Sequence, residues 1–296
     1  MKKLSKYISA ISCLTLLLVG VQAGAVSETD QKRESITMSP VSKRLTLDAG
    51  SSQKESFKIL NDGVVDYDFI VYTSPYYVEG LSYETNFESK RPNADADKWV
   101  EFEKTRYRIR AGETMEVNFT INVPEGAAPG GHYGVIFAES QADLAVTGGN
   151  IGRNKRIGMP LYLTVNGSYR LGGSIDDITT LPIQSQPPIH SNVRVNNTGN
   201  ADFMASTTYI VKDIFGGTKD TIQEELIVLP DTTRDIKLQW TRSPSFGLWR
   251  VEAEVSILDQ KKQSSSLVLI APTWAYILIV ILILSGAGYL FIRKRR

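Results

Sequence analysis

Two stretches of the chain hold residue types that could do chemistry. Between Ser74 and Asp97 the strand-like alternation breaks off, and Tyr76, Tyr77, Tyr83 and Phe87 stand among polar neighbours. Long insertions in a rigid β frame are where binding surfaces tend to be placed, and aromatic faces stack on sugar rings or anchor protein partners. These four are the candidate ligand-binding residues; the alternative is that their rings close the edge of a β-sandwich. In the same stretch Asn93, Asp95 and Asp97 offer alternating oxygens of the kind calcium uses. They lack the turn glycine and distant bidentate glutamate of an EF-hand, so no metal site is expected.

The second stretch is Pro124 to Ala138, with His132 between Gly131 and Tyr133. A catalytic histidine needs a nucleophile and an orienting carboxylate, and no G-x-S-x-G or cysteine accompanies this one. Its expected role is structural, bonding a turn carbonyl. Gly130, Gly131 and Gly134 lead into a strand and not a helix N-terminus, so they lack the geometry of a phosphate cradle. They read as permissive positions in a turn or bulge. His190 follows Pro187-Pro188-Ile189 and carries no signal. The sequons at Asn118, Asn166 and Asn196 matter only in a eukaryotic secretory pathway. No catalytic set and no cofactor are expected, and the chain reads as a non-enzyme.

Composition narrows the classes further. The 296 residues include 33 basic and 32 acidic side chains, two histidines and one cysteine, and 42% are apolar. That excludes a disordered chain, a disulfide framework or a cysteine zinc site, and, on charge, a nucleic-acid binder. The two ends read as targeting segments. Lys2, Lys3 and Lys6 precede an apolar stretch from Tyr7 to Val21 and then Ala23-Gly24-Ala25, which predicts an export signal over 1–25. Trp274 to Ile292 is 19 residues without a charge, about 28 Å of helix at 1.5 Å per residue. It is followed by Arg293-Lys294-Arg295-Arg296, so a single-pass membrane helix over 274–292 with a cytoplasmic basic tail (293–296) is expected. Setting those ends aside leaves 26 basic against 32 acidic residues, a charge of −6.

Between the ends, strand signals dominate. Met115, Val117, Phe119, Ile121 and Val123 alternate with polar residues, as do Trp249, Val251, Ala253, Val255 and Ile257. The pattern also repeats. Phe57 to Leu60, Asn61-Asp62-Gly63 and Tyr67 to Tyr72 have a counterpart in Asn192 to Val195, Asn196 to Asn200 and Phe203 to Val211. The expectation is an all-β chain of two tandem immunoglobulin-like sandwiches, 36–166 and 167–270, behind a disordered segment 26–35. With so little chain between the modules, the pair should be stiff.

Val123 to Phe137 reads VPEGAAPGGHYGVIF. Together with Met38-Ser39-Pro40, Asp48-Ala49-Gly50, Asn61-Asp62-Gly63, Trp99 and Ala111-Gly112-Glu113 it resembles the WxL-interacting cell-surface proteins of Gram-positive bacteria. The chain has no W-x-L motif of its own. Leu229-Pro230-Asp231-Thr232-Thr233 resembles a wall-sorting signal but lacks its glycine and lies far from the terminal apolar run. The resemblance implies a non-enzymatic, membrane-anchored type I surface protein, its ectodomain extracellular, that binds peptidoglycan or other surface proteins. The alternative expectation is an accessory subunit of a membrane complex.

Overall fold

A computed structural model describes residues 35–141, 154–274 and 286. The expected signal over 1–25 and the segment 26–34 lie outside the described residues, as does the apolar run 274–292 apart from Trp274 and Gly286.

The described chain folds as two β-domains. In chain order, the first contains β1 (Thr37–Ser39), β2 (Lys43–Leu47), β3 (Ser52–Leu60), β4 (Tyr67–Pro75), β5 (Tyr77–Glu79), β6 (Glu84–Asn86), a short 3-10 helix (Ala96–Trp99), β7 (Val100–Phe102), β8 (Arg106–Ile109), β9 (Thr114–Asn122), β10 (Gly130–Gln141) and β11 (Arg156–Val165). The second contains β12 (Gly173–Thr179), β13 (Ile183–Gln184), β14 (Ile189–Asn197), β15 (Phe203–Lys212), β16 (Thr218–Val228), β17 (Thr232–Trp240), β18 (Gly247–Ile257) and β19 (Gln260–Ile270).

Domain one pairs its strands in two main sheets, β1-β3-β9-β7 and β2-β11-β10-β4-β8, with β5-β6 as a separate hairpin. Domain two has β12-β14-β17 and β13-β19-β18-β15-β16. The period-two patterns explain the packing. Val117, Phe119 and Ile121 of β9 face Phe69, Val71, Ile136 and Leu161 across one core, while Val193, Val195 and Leu238 face Tyr209, Val251 and Val255 across the other. The polar residues between them go to water.

The internal repeat is structural. In each domain the first strand changes sheets. β1 pairs antiparallel with β3 before β2 runs parallel to the last strand, β11; β12 pairs antiparallel with β14 before β13 runs parallel to β19. The following corner is built the same way twice. Buried Asn61 donates to the Val65 carbonyl (2.9 Å) and accepts from the Gly63 amide (3.0 Å). Buried Asn197 donates to the Ala201 carbonyl (3.0 Å) and accepts from the Gly199 amide (2.8 Å).

The domains differ where the aromatic stretch lies. β15 reaches β16 through residues 213–217, whereas β4 reaches β8 through residues 76–105, which hold the β5-β6 hairpin, the short helix and β7.

Candidate functional site

This insertion lies over the outer face of β10, and that is why both faces of the strand are buried. Ile136 and Ala138 point into the domain-one core, while Tyr133, Val135 and Phe137 point the other way. There they meet Tyr76, Tyr77, Val78, Tyr162 and, from domain two, Leu229 in a third apolar cluster. Tyr77 is 1% exposed and Tyr76 7%; Tyr83 and Phe87 are half-buried. The rings meet edge-on, with Tyr77 and Tyr133 centroids 6.2 Å apart and Phe87 and Phe137 5.0 Å apart.

The hydroxyls of these rings complete the contact with domain two. Tyr77 donates to the Pro230 carbonyl. The Leu229 amide donates to Tyr83 Oη (2.6 Å), Tyr83 Oη lies 2.9 Å from Thr232 Oγ1, and Thr232 Oγ1 donates to the Leu229 carbonyl (2.7 Å). Because Thr232 spends its proton on that carbonyl, Tyr83 must donate to Thr232, and the loop of three bonds closes. Arg234 stacks on the Tyr83 ring, 4.3 Å from its centroid. The Leu229–Thr233 stretch that resembles a sorting signal thus forms part of the domain-two side of the junction.

A polar contact sits beside this. Asp202 of domain two, its side chain 2% exposed, accepts from Tyr133 Oη (3.0 Å) and pairs with Arg44 of β2. Burial pushes the Tyr133 phenol far above the usual tyrosine range, and the Asp202 carboxylate adds to the shift, so the proton stays on tyrosine. The Gly131 amide donates to the Asn200 carbonyl (2.9 Å), and Asn200 Nδ2 donates to the Pro129 carbonyl (3.1 Å).

The glycines of β10 follow from these approaches. A Cβ on Gly130 would lie 2.6 Å from the Asn200 carbonyl oxygen, one on Gly131 1.9 Å from Tyr133 Oη, and one on Gly134 2.7 Å from the Asp97 amide nitrogen. Gly130 also has a positive φ of 128°. Gly131 and Gly134 are required by closeness of packing.

His132 is 6% exposed. Its Nδ1 lies 2.7 Å from Asp95 Oδ1, its Nε2 lies 2.8 Å from the Ala128 carbonyl, and its ring packs 4.5 Å from that of Trp99. Burial alone would lower its pKa, but the bonds to Asp95 and Ala128 outweigh it and hold the imidazole above the ordinary histidine value.

The calcium candidates separate. The Asn93 carbonyl accepts from the Tyr133 amide (2.8 Å) and Asp95 serves His132. Asp97 packs against β10, one oxygen buried without a partner, and burial raises its pKa. Among the described residues no group of His, Cys, Asp and Glu is arranged to hold a metal ion. Of the four aromatic candidates, Tyr77 and Tyr83 bond to domain two, Tyr76 packs on Tyr162, and Phe87 packs on Tyr76 and Phe137 while remaining half-buried.

What remains open is a strand edge. β2 pairs with β11 over Leu161–Val165, whereas Arg156 to Pro160 bond to β10 on one side and have no strand on the other among the described residues. Other edge strands are very short or carry charges, such as Lys219, Asp220, Glu224 and Glu225 on β16. Ile157 to Pro160 carries none, and Arg156 is laid over the Phe137 ring, 4.4 Å from its centroid. A cleft of ≈ 370 Å³ lined by Phe87, Arg156, Glu79, Glu84 and Glu88, among others, opens beside the start of β11. Sequence reasoning missed this edge because it depends on where β2 stops, not on any residue type.

No family model matches the chain, and no curated protein matches it. Solved structures do. The class 5 fimbriae chaperone CfaA is 12% identical, covering 80% of this chain and all of its own, with a TM-score of 0.39. The CsuC–CsuE chaperone–tip adhesion subunit complex of Acinetobacter baumannii is 13% identical over 78% of this chain and 98% of that one, TM-score 0.39. The SafB chaperone complex with SafA pilin from Salmonella enterica gives 12%, 80%, 96% and 0.37.

The likeness is one of fold alone. The expectation of a single-pass, wall-binding surface protein is nevertheless corrected. These solved structures are fimbrial chaperones, two of them in complex with a pilin or tip-adhesin subunit, and not wall-binding surface proteins. Among the described residues no helix is long and apolar enough to cross a membrane.

Proposed function

We propose that the chain is a non-catalytic protein that takes up an extended segment of a partner polypeptide as an added strand along the open edge of β11. We further read each domain as an immunoglobulin-like sandwich, on the strength of the sheet-switching first strand. The observation that carries the functional reading is the one-sided pairing of Arg156 to Pro160 on a strand whose neighbouring residues are paired on both sides.

An unpaired run of strand backbone is a template for another chain, and native proteins blunt such edges with charge or proline. Here Ile157, Gly158 and Met159 are unblunted, and Pro160 stands just before the paired segment begins. Main-chain bonds would supply the affinity and side-chain pockets the selectivity. The locked junction serves this role by holding β10, and hence the register of β11, fixed. A catalytic reading finds little support, since both ring nitrogens of His132 are committed and His190 Nδ1 lies 3.2 Å from the Pro188 carbonyl.

The test is selection of short extended peptides from a displayed library against the full chain. Binding should fall at least about tenfold, ~1.4 kcal/mol, when alternate peptide amides are N-methylated. Gly158→Pro in the chain should weaken it similarly. Failure to select any binder, or peptides that keep their affinity after methylation on either set of alternate amides, would overturn the reading.

A further inference from the structure

We propose that His132 is a pH-sensitive pin between the domains: as imidazolium it fastens the insertion to the turn that holds domain two, and on losing a proton it releases that turn. The inference is independent of the strand-edge reading.

The geometry is that of a ring between two acceptors. Nδ1 meets the Asp95 carboxylate and Nε2 meets the Ala128 carbonyl, at 2.7 and 2.8 Å. Neither partner can donate, so both bonds exist only when both ring nitrogens carry protons. A neutral ring has one proton, and the carboxylate, as the charged acceptor, keeps it. The Nε2 lone pair then faces the lone pairs of the Ala128 oxygen, and the bond that ties the ring to the turn is lost.

Ala128 opens the segment that touches domain two. Pro129 accepts from Asn200, Gly131 donates to Asn200, and Tyr133 donates to Asp202. A push on Ala128 is therefore delivered to the backbone contacts of the junction. The charged groups on the elements around the ring are Asp95, Asp97 and Lys98 on the insertion and Glu125 before the turn, and of these Asp95 is the one bonded to it. Trp99 covers one face of the ring. The only other histidine, His190, lies in domain two at the start of β14, so a transition near neutral pH can be assigned.

The test uses spin labels on the full chain, at Val64→Cys in domain one and Leu258→Cys in domain two, with Cys13→Ser. The interdomain distance distribution is recorded from about pH 5.5 to about pH 9, with the imidazole shift followed in parallel. The wild type should show a narrow distribution in acid that broadens as the His132 ring loses its proton. His132→Gln should be broad throughout, and Asp95→Asn should move the broadening to lower pH. A wild-type distribution that stays narrow over the whole range overturns the proposal, as does an Asp95→Asn transition at the wild-type pH. Those two arms stand even if His132→Gln fails to fold.

Discussion

Tyr83 shows how much one side chain contributes at the junction. Its hydroxyl accepts from the amide of Leu229, a residue 1% exposed, and donates to Thr232. Tyr83→Phe keeps the ring under Arg234 but leaves that buried amide without an acceptor. A loss of about 1–3 kcal/mol is expected, the cost of stranding a buried donor. Denaturant midpoints with an unchanged slope would show it; a variant as stable as the wild type would mean that water replaces the hydroxyl. The identity of these aromatic residues was legible in the sequence, and so was their singularity. Their role was not, because stacking on a ligand and packing on a second domain demand the same side chains, and the deciding fact is whether residues 227–232, some 150 positions away, arrive to cover them.

At the scale of elements, the alternating strands were readable because period two is imposed by one-sided burial. β9 and β18 follow their patterns closely, with burial falling on every second residue. The repeated Asn-Gly corner was also visible, although the equivalence of Asn61 and Asn197 rests on their bonds and not on their neighbours. β10 broke the rule, being buried along nearly its whole length, because the insertion adds a third layer. Its glycines are the trace of that layer. Gly134→Ala should lower stability by about 1–3 kcal/mol as the short helix is forced off the strand. Gly126→Ala, with open space around it, should change little, within about 0.5 kcal/mol. Thermal unfolding of the two variants side by side checks the claim, and equal midpoints would contradict it.

On the scale of the whole molecule, two β cores are joined by a third apolar cluster to which both domains contribute. Each large side chain buried there contributes about 1.5–3 kcal/mol relative to exposure. The insertion thereby becomes a brace, and on the proposed reading the edge of β11 left unpaired among the described residues receives another chain. Hydrogen exchange on the full chain, with and without a selected peptide, tests both halves of this claim together. The account predicts slow exchange across Tyr76 to Phe87 in either state, and alternate amides among Arg156 to Met159 that exchange fast alone and slow when the peptide is bound. Fast exchange in the insertion that becomes slow on peptide binding, with Arg156 to Met159 unchanged, would contradict it.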